Sequence, residues 1–335
     1  MQNTKIVVER YGGPDVLKVV EEELSPPGHR DIRIRVEAAG VALADVMRRE
    51  GTYLDSPLPP FTPGYEAVGF VEDVGELVTE YVHGDRVGAF LNGTGAYSAY
   101  INLPAEEAIR IPHDVDAAQA ASVMLNYVTA YQMLHRLAEV SAGDSVLIHG
   151  AGGGVGTALL ELGRMMGLRM FGTASSAKHP GVAAYGAVPI DYRKADFTEV
   201  LQQLMPGGVD AVFDPIGGDH WQRSFRTLGD RGRFVGFGHT SVLQESTREA
   251  WTNQWRELAE MKRTPTGHPA YLYSITSLKQ EHPAWFREDA ELLLSWLGKG
   301  LLKPRVFCRV PFREAGRAQQ LMLEAGTVGK VVLTF

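Results

Sequence analysis

The sequence predicts an α/β protein in which a β-rich N-terminal domain precedes a doubly wound parallel sheet. Three observations carry this. The first 120 of the 335 residues read mainly as short alternating strands broken by Gly and Pro. From residue 117 the texture turns helical, then alternates strand and helix to about residue 275, which argues for parallel pairing. In between, an apolar strand at 146–148 runs through a glycine cluster into an apolar, helix-forming run at 158–166. That order suits a dinucleotide pyrophosphate. Glycines let the backbone approach the phosphates, and the helix offers unpaired N–H groups and its positive dipole end.

In chain order, residues 31–36 alternate Ile or Val with Arg, placing apolar residues on one face of a strand. Punctuation falls at Gly12, Pro14, Pro26, Gly28, 57–60 and 63–64. Residues 117–137, rich in Ala, Leu and Met, predict helix. The glycine cluster reads Ala151, Gly152, Gly153, Gly154, Val155, Gly156, with alanine at the first position of Gly-x-Gly-x-x-Gly. Beyond it, strands are expected at 168–174, 188–190, 209–213, 233–237 and 270–275, and helices at 196–205 and 248–262. Residues 285–297 predict an amphipathic helix, followed by a strand at 305–310, a helix at 313–324 and a strand at 330–334. The stretch 239–284 is the least legible, being polar and broken by Pro265, Pro269 and Pro283. There is no internal repeat.

A chain of this length exceeds one ordinary core, so two domains are expected. A net charge of −7 gives no electrostatic case for nucleic acid or an anionic membrane surface. No basic, apolar leader opens the chain and no run of about 18 apolar residues could span a bilayer, so a cytoplasmic location is expected. The single cysteine, Cys308, excludes an internal disulfide and a cysteine-rich zinc site, and reads as a small strand residue.

Several short motifs occur in a telling order: 40–45 ending in Asp45, 49–53, 62–66, Gly69 to Gly75, 84–87, 126–131, the glycine turn, 209–218, 232–238 and 328–333. Together they resemble the medium-chain dehydrogenase/reductase superfamily, and within it the zinc-independent quinone oxidoreductase and enoyl reductase branch. The resemblance covers nearly the whole chain. It implies a GroES-like β domain plus a Rossmann domain, placed here at 1–122 and 123–280, with 281–335 returning to the first. It also implies a homodimer paired through the strand at 270–275. Alanine at position 151 is a form this branch commonly uses.

Catalytic zinc needs three protein ligands and one open position. Zinc-using relatives carry ligands where this chain has Ala42 and Tyr65, and near Leu125, and none of these is Cys or His. The four-cysteine lobe is missing too. His149, His179, His220 and His239 lie in or near the turns of the second domain and are expected as lining or surface residues. No metal is expected.

An NAD site places an acid about 20 residues after the glycines, on the ribose 2′-hydroxyl. Residues 172–179 contain no carboxylate, and Ser175, Ser176 and Lys178 suit a 2′-phosphate instead. NADPH is therefore expected, although Lys178 also reads as a solvated lysine at a helix start. Tyr192 stands where the resemblance puts a tyrosine near the adenosine phosphate; ordinary turn packing is the alternative. Thr129 is implied to lie against the nicotinamide, and Gly236, Phe237 and Lys330 complete the expected cofactor set.

Without a Lewis acid, hydride delivery favours an acceptor that spreads negative charge itself, a quinone or an α,β-unsaturated carbonyl. The resemblance implies Tyr53 as a hydrogen-bond or proton donor, or else as packing at the cleft rim. Tyr65 faces the lost-histidine position or fills the void left by zinc. Asp45 orients neighbouring groups or is structural. Quinone oxidoreductases commonly have asparagine where this chain has Ala42, so Asn126 or a tyrosine has to compensate. That loss moves enone or enoyl reduction ahead of quinone reduction. An enoyl-thioester reductase, with a basic patch from Arg248, Arg256, Lys262 and Arg263, and a non-catalytic NADPH-binding protein are the alternatives.

Overall fold

The computed structural model describes residues 1–243, 247–324 and 326–335. Two units divide the chain: Met1–Val128 with Ala284–Glu324 and Lys330–Phe335, and Thr129–Pro283 with Ala325–Gly329. The first unit opens with strands β1 (Gln2–Val8), β2 (Leu17–Glu23), β3 (Asp31–Val41), β4 (Glu66–Val74), β5 (Arg86–Phe90), β6 (Tyr100–Pro104) and β7 (Ala108–Arg110). The second holds β8 (Ser145–Ile148), β9 (Arg169–Thr173), β10 (Val188–Ile190), β11 (Val209–Asp214), β12 (Leu228–Gly236) and β13 (Ala270–Leu272). The last strands, β14 (Val306–Pro311) and β15 (Lys330–Thr334), rejoin the first unit.

In the first unit β1 and β2 form a hairpin, and the main sheet runs β14-β15-β3-β4-β5-β7 with β6 also on β3. The alternation at 31–36 extends into the long strand β3, with Ile32, Ile34 and Val36 buried in the core. Past Val36 the strand carries Ala38, Ala39 and Gly40, all buried, so other groups can approach its backbone closely. Gly40 shows how closely. A Cβ there would stand 1.7 Å from Glu66 Oε1, so only glycine leaves room for that side chain.

The second unit is an all-parallel sheet in the order β10-β9-β8-β11-β12-β13. Leu147, Phe171, Val212 and Phe234 from four of its strands pack with Phe197, Trp221 and Leu258 from the helices. β8 pairs with β9 on one side and β11 on the other. The order of strands reverses at β8, and such a switch point is where ligands bind at the carboxyl ends of the strands.

Two expectations need adjustment. The strand expected at 270–275 stops at Leu272, because Ser274 caps a helix over Ile275–Glu281 by accepting from the Ser277 N–H. The helix expected at 117–137 is not uniform: Ala117–Ser122 is α-helical, while Val123–Tyr127 and Gln132–Leu137 widen to π-helical geometry. Such widening often marks functional sites. The helix expected at 248–262 is present as Arg248–Met261, anchored by buried Trp251 stacked on His239 at 5.7 Å.

Candidate active site and cofactor site

In the first unit the chemistry gathers around the helix Leu43–Glu50. Asp45, in its first turn, accepts from the Ala42 N–H at 2.8 Å, the Gly64 N–H at 3.1 Å and the Tyr97 hydroxyl at 3.1 Å. Burial raises its carboxyl to about 6 against those donors. Both oxygens are committed to groups of the surrounding loops.

One turn further on lies a buried guanidinium that no sequence motif flagged. Arg48 Nε donates to the Tyr65 hydroxyl at 3.0 Å, and Nη2 donates to both Asp55 oxygens at 2.8 and 2.9 Å. Its Cζ lies 5.1 Å from the ring centroids of both Tyr53 and Tyr65. Gly51, at φ +74°, ends the helix in the left-handed region and turns the chain toward Tyr53. The two phenols thus share one buried cation. Burial raises the pKa of both, so both are protonated at neutral pH. The result is a buried cluster in which Arg48 donates to Tyr65 and lies against the rings of both tyrosines.

Asn126 belongs to a second cluster. Lys330 Nζ lies 2.5 Å from Glu66 Oε1 and 3.5 Å from Asn126 Oδ1, and all three residues are buried. Burial pushes Glu66 up to about 7, and the lysine opposes that rise. Lys330, expected on the cofactor, directs its ammonium to Glu66.

In the second unit, Gly150 turns out of β8 at φ +65° and accepts from the Gly153 N–H at 2.9 Å. The helix Gly154–Met165 follows with no side chain capping its first N–H groups. A Cβ on Gly156 would stand 2.3 Å from Gly150 O and 2.7 Å from the Ala151 backbone, so the turn closes only around glycine. The uncapped N–H groups and the bare backbone fit a pyrophosphate. Lys178 lies across this turn, its Cδ 2.7 Å from where a Cβ on Gly152 would be. Burial and the nearby Arg193, a cation the sequence reading missed, both lower its pKa. Tyr192 is 51 % exposed, with the Arg193 guanidinium 5.7 Å from its ring. Ser176 is hydrogen-bonded to Asp191, and Ser175 is buried at the start of the next turn. Gly236 ends β12, and the Phe237 N–H donates to Asp214 O at 3.1 Å. Thr129 is buried in this unit.

Two family models match: "Alcohol dehydrogenase GroES-like domain" over residues 28–113 and "Zinc-binding dehydrogenase" over 185–333. The chain is 34 % identical to 2-haloacrylate reductase from Burkholderia sp, covering 98 % of this chain and 97 % of that protein. It is 30 % identical to quinone oxidoreductase 1 from Escherichia coli (strain K12), covering 98 % and 99 %. The chain is a medium-chain dehydrogenase/reductase. The crystal structure of Escherichia coli quinone oxidoreductase complexed with NADPH superposes with a TM-score of 0.87 at 29 % identity, over 99 % of this chain and 100 % of that one. CurK enoyl reductase gives 0.85 at 26 %, over 100 % and 99 %. This medium-chain reductase thus falls in the quinone oxidoreductase and enoyl reductase branch, and it is an oxidoreductase.

For a reductase of this superfamily the zinc positions matter. Ala42 and Leu125 offer no donor, and burial keeps the Tyr65 phenol protonated although the Arg48 cation opposes this. Among the described residues one group could hold a metal, His149, Asp214 and His220, drawn from separate elements and so invisible to residue spacing. It is already a hydrogen-bond network. Asp214 Oδ2 lies 2.7 Å from His220 Nδ1 and accepts from Ser224 at 2.6 Å, while His149 reaches Ser224 at 3.1 Å and Thr173 at 2.9 Å. The network ties the ends of β8, β9 and β11 together immediately before the glycine turn. His149 and His239, expected to line a site or reach the surface, are instead fully buried as structural hydrogen-bonding groups.

Proposed function

We propose that this reductase uses NADPH, without a catalytic metal, to reduce the conjugated C=C of an enone or enoyl compound, or a quinone. The carrying observation is the buried Arg48 guanidinium, which donates to Tyr65 and lies 5.1 Å from the rings of both Tyr53 and Tyr65, a cation-backed pair of phenols with Tyr65 at a position where the resemblance puts a zinc ligand. NADPH supplies a hydride when bound. The chain must then stabilise the charge that develops on the acceptor's oxygen. Tyr53 donates to that oxygen, and the adjacent Arg48 cation adds to the stabilisation of the charge. Asp45 holds the loop at Gly64, next to Tyr65, and so fixes the donors in place.

Lys178 and Arg193 favour a 2′-phosphate and hence NADPH, with Tyr192 beside it. The names of the relatives support the same reading: one is a quinone oxidoreductase seen with NADPH, others are a 2-haloacrylate reductase and an enoyl reductase. The thioester alternative draws little support from the helix Arg248–Met261, where exposed Arg248 and Arg256 share the surface with exposed Glu257 and Glu260. The reading assigns catalysis to residues 1–122, NADPH binding to 123–280 and the return to 281–335. It includes a homodimer joined along the edge strand β13 and a cytoplasmic location.

Tyr53→Phe should lower kcat at least tenfold, the worth of one charge-assisted donor, while the Kd for NADPH stays within about twofold. An unchanged kcat removes Tyr53 from the mechanism. NADPH oxidation with a naphthoquinone, an alkenal, a cyclic enone and an enoyl-CoA, with and without chelator, identifies the acceptor. Loss of turnover on chelation would overturn the metal-free reading.

A further inference from the structure

The Arg48 guanidinium is a permanent cation whose surroundings use it incompletely. Nε serves Tyr65, and Nη2 alone takes both oxygens of Asp55. The two N–H groups of Nη1 donate to nothing among the described residues. The Arg48 side chain is 3 % exposed, whereas that of Asp55 is 60 % exposed. Nη1 is not among the fully buried unpaired polar atoms, so it keeps some access from outside, and a water-exposed partner such as Asp55 contributes little. The Tyr53 and Tyr65 rings flank the cation, which leaves approach along its N–H edge. Gly93 packs against the guanidinium, where a Cβ would stand 2.6 Å from Cζ and 2.8 Å from Nη1, so only glycine leaves the cation this position.

We propose that Nη1 of Arg48 holds the carboxylate of the acceptor, so that the preferred substrate is a conjugated acid anion, an enoate. The inference rests on the reductase reading and narrows its substrate class. A planar carboxylate matches the guanidinium edge, and it binds at Nη1 without displacing Asp55 from Nη2. The chemistry asks for such a cation. An enoate is a weak electrophile, and hydride addition turns it into a dianionic enediolate, which a phenol alone stabilises poorly and a fixed guanidinium stabilises well. A C–H bond forms at the β-carbon with the hydride that NADPH supplies, and the C=C pair passes to the α-carbon and carboxylate. A proton from Tyr53 or water then closes the α-C–H bond. In sum, enoate, NADPH and one proton give the saturated acid and NADP⁺.

The test compares crotonate with methyl crotonate in the wild type, Arg48→Met and Arg48→Lys. In parallel, calorimetry measures butanoate binding to protein loaded with NADP⁺. The wild type should prefer the acid at least about tenfold in kcat/KM, and Arg48→Met should cost the acid at least about tenfold more than the ester. Butanoate binding should disappear in Arg48→Met and partly return in Arg48→Lys, which keeps the charge without the planar edge. Preference for the ester, equal losses on both substrates, or butanoate binding indifferent to position 48 would overturn the proposal. Should Arg48→Met fail to fold, Arg48→Lys carries the same comparison through a smaller, still selective loss. If crotonate, its ester, a cyclic enone and a quinone all go unreduced, the reductase reading fails. The substrate assignment then fails with it, and the calorimetry decides only whether Nη1 holds a carboxylate: binding abolished by Arg48→Met keeps that contact, and absent or unaffected binding ends it.

Discussion

Lys178 and Arg48 are both cations placed by partial burial, but they differ in how they can be found. Lys178 stands in a turn where an acid would otherwise mark NAD, so its position in the chain carries meaning. Removing it with Lys178→Ala should raise the KM for NADPH about tenfold while leaving that for NADH nearly unchanged, as steady-state kinetics with both cofactors would show. An equal rise for both would take the 2′-phosphate away from Lys178. Arg48 has no such marker. Its partners are 17 residues away at Tyr65 and 7 at Asp55, on a different strand boundary and a loop. Only folding brings them together. His149 is a residue-scale switch of another kind. Burial holds its pKa near 3, against 6.5 when unfolded, so the folded state keeps it neutral. Its contribution to stability is complete above pH 6.5 and is lost as pH falls from there through 3, by up to about 1.4 kcal/mol per pH unit. Denaturant midpoints between pH 7 and 4 should therefore fall less steeply for His149→Gln than for the wild type.

At the scale of elements, the glycine turn is both the most legible and the least forgiving. Ala151 tolerates its methyl because Gly172 opposes it: a Cβ on Gly172 would stand 2.7 Å from the Ala151 Cβ. Gly156 has no such slack. Gly156→Ala should force the turn open, cost about 1–3 kcal/mol of stability and weaken NADPH binding at least tenfold, measurable by thermal melts and fluorescence titration. Tight NADPH binding by that variant would mean the turn does not hold the pyrophosphate. The strands and helices of the parallel sheet were readable because each must bury an apolar face with its own period, as at β10 and β11. The boundary at Leu272 was not, because Tyr273 and Ile275 continue the apolar texture while the Ser274 cap ends the strand. The π-helical widening around Asn126 likewise leaves no mark in composition.

For the whole molecule, each unit has its own core and its own half of the chemistry. The Arg48–Tyr65–Tyr53 cluster and the Glu66–Lys330 pair lie in the first, and the glycine turn with Lys178 and Arg193, the proposed pyrophosphate site, lies in the second. Light scattering at micromolar concentration should return twice the 36.7 kDa chain mass if β13 joins two copies. A monomer at that concentration would remove the dimer from the proposal. The sequence by itself determined the order of elements, the glycine turn, the absence of zinc donors at Ala42, Tyr65 and Leu125, and the lack of an acid before Lys178. These follow from local pattern and side-chain chemistry, which the linear chain carries. Tertiary structure alone decided that Arg48 lies against Tyr53 and Tyr65, that Lys330 serves Glu66, and that His149 joins a buried network. Each depends on groups far apart in sequence whose protonation and partners are fixed only once burial removes water.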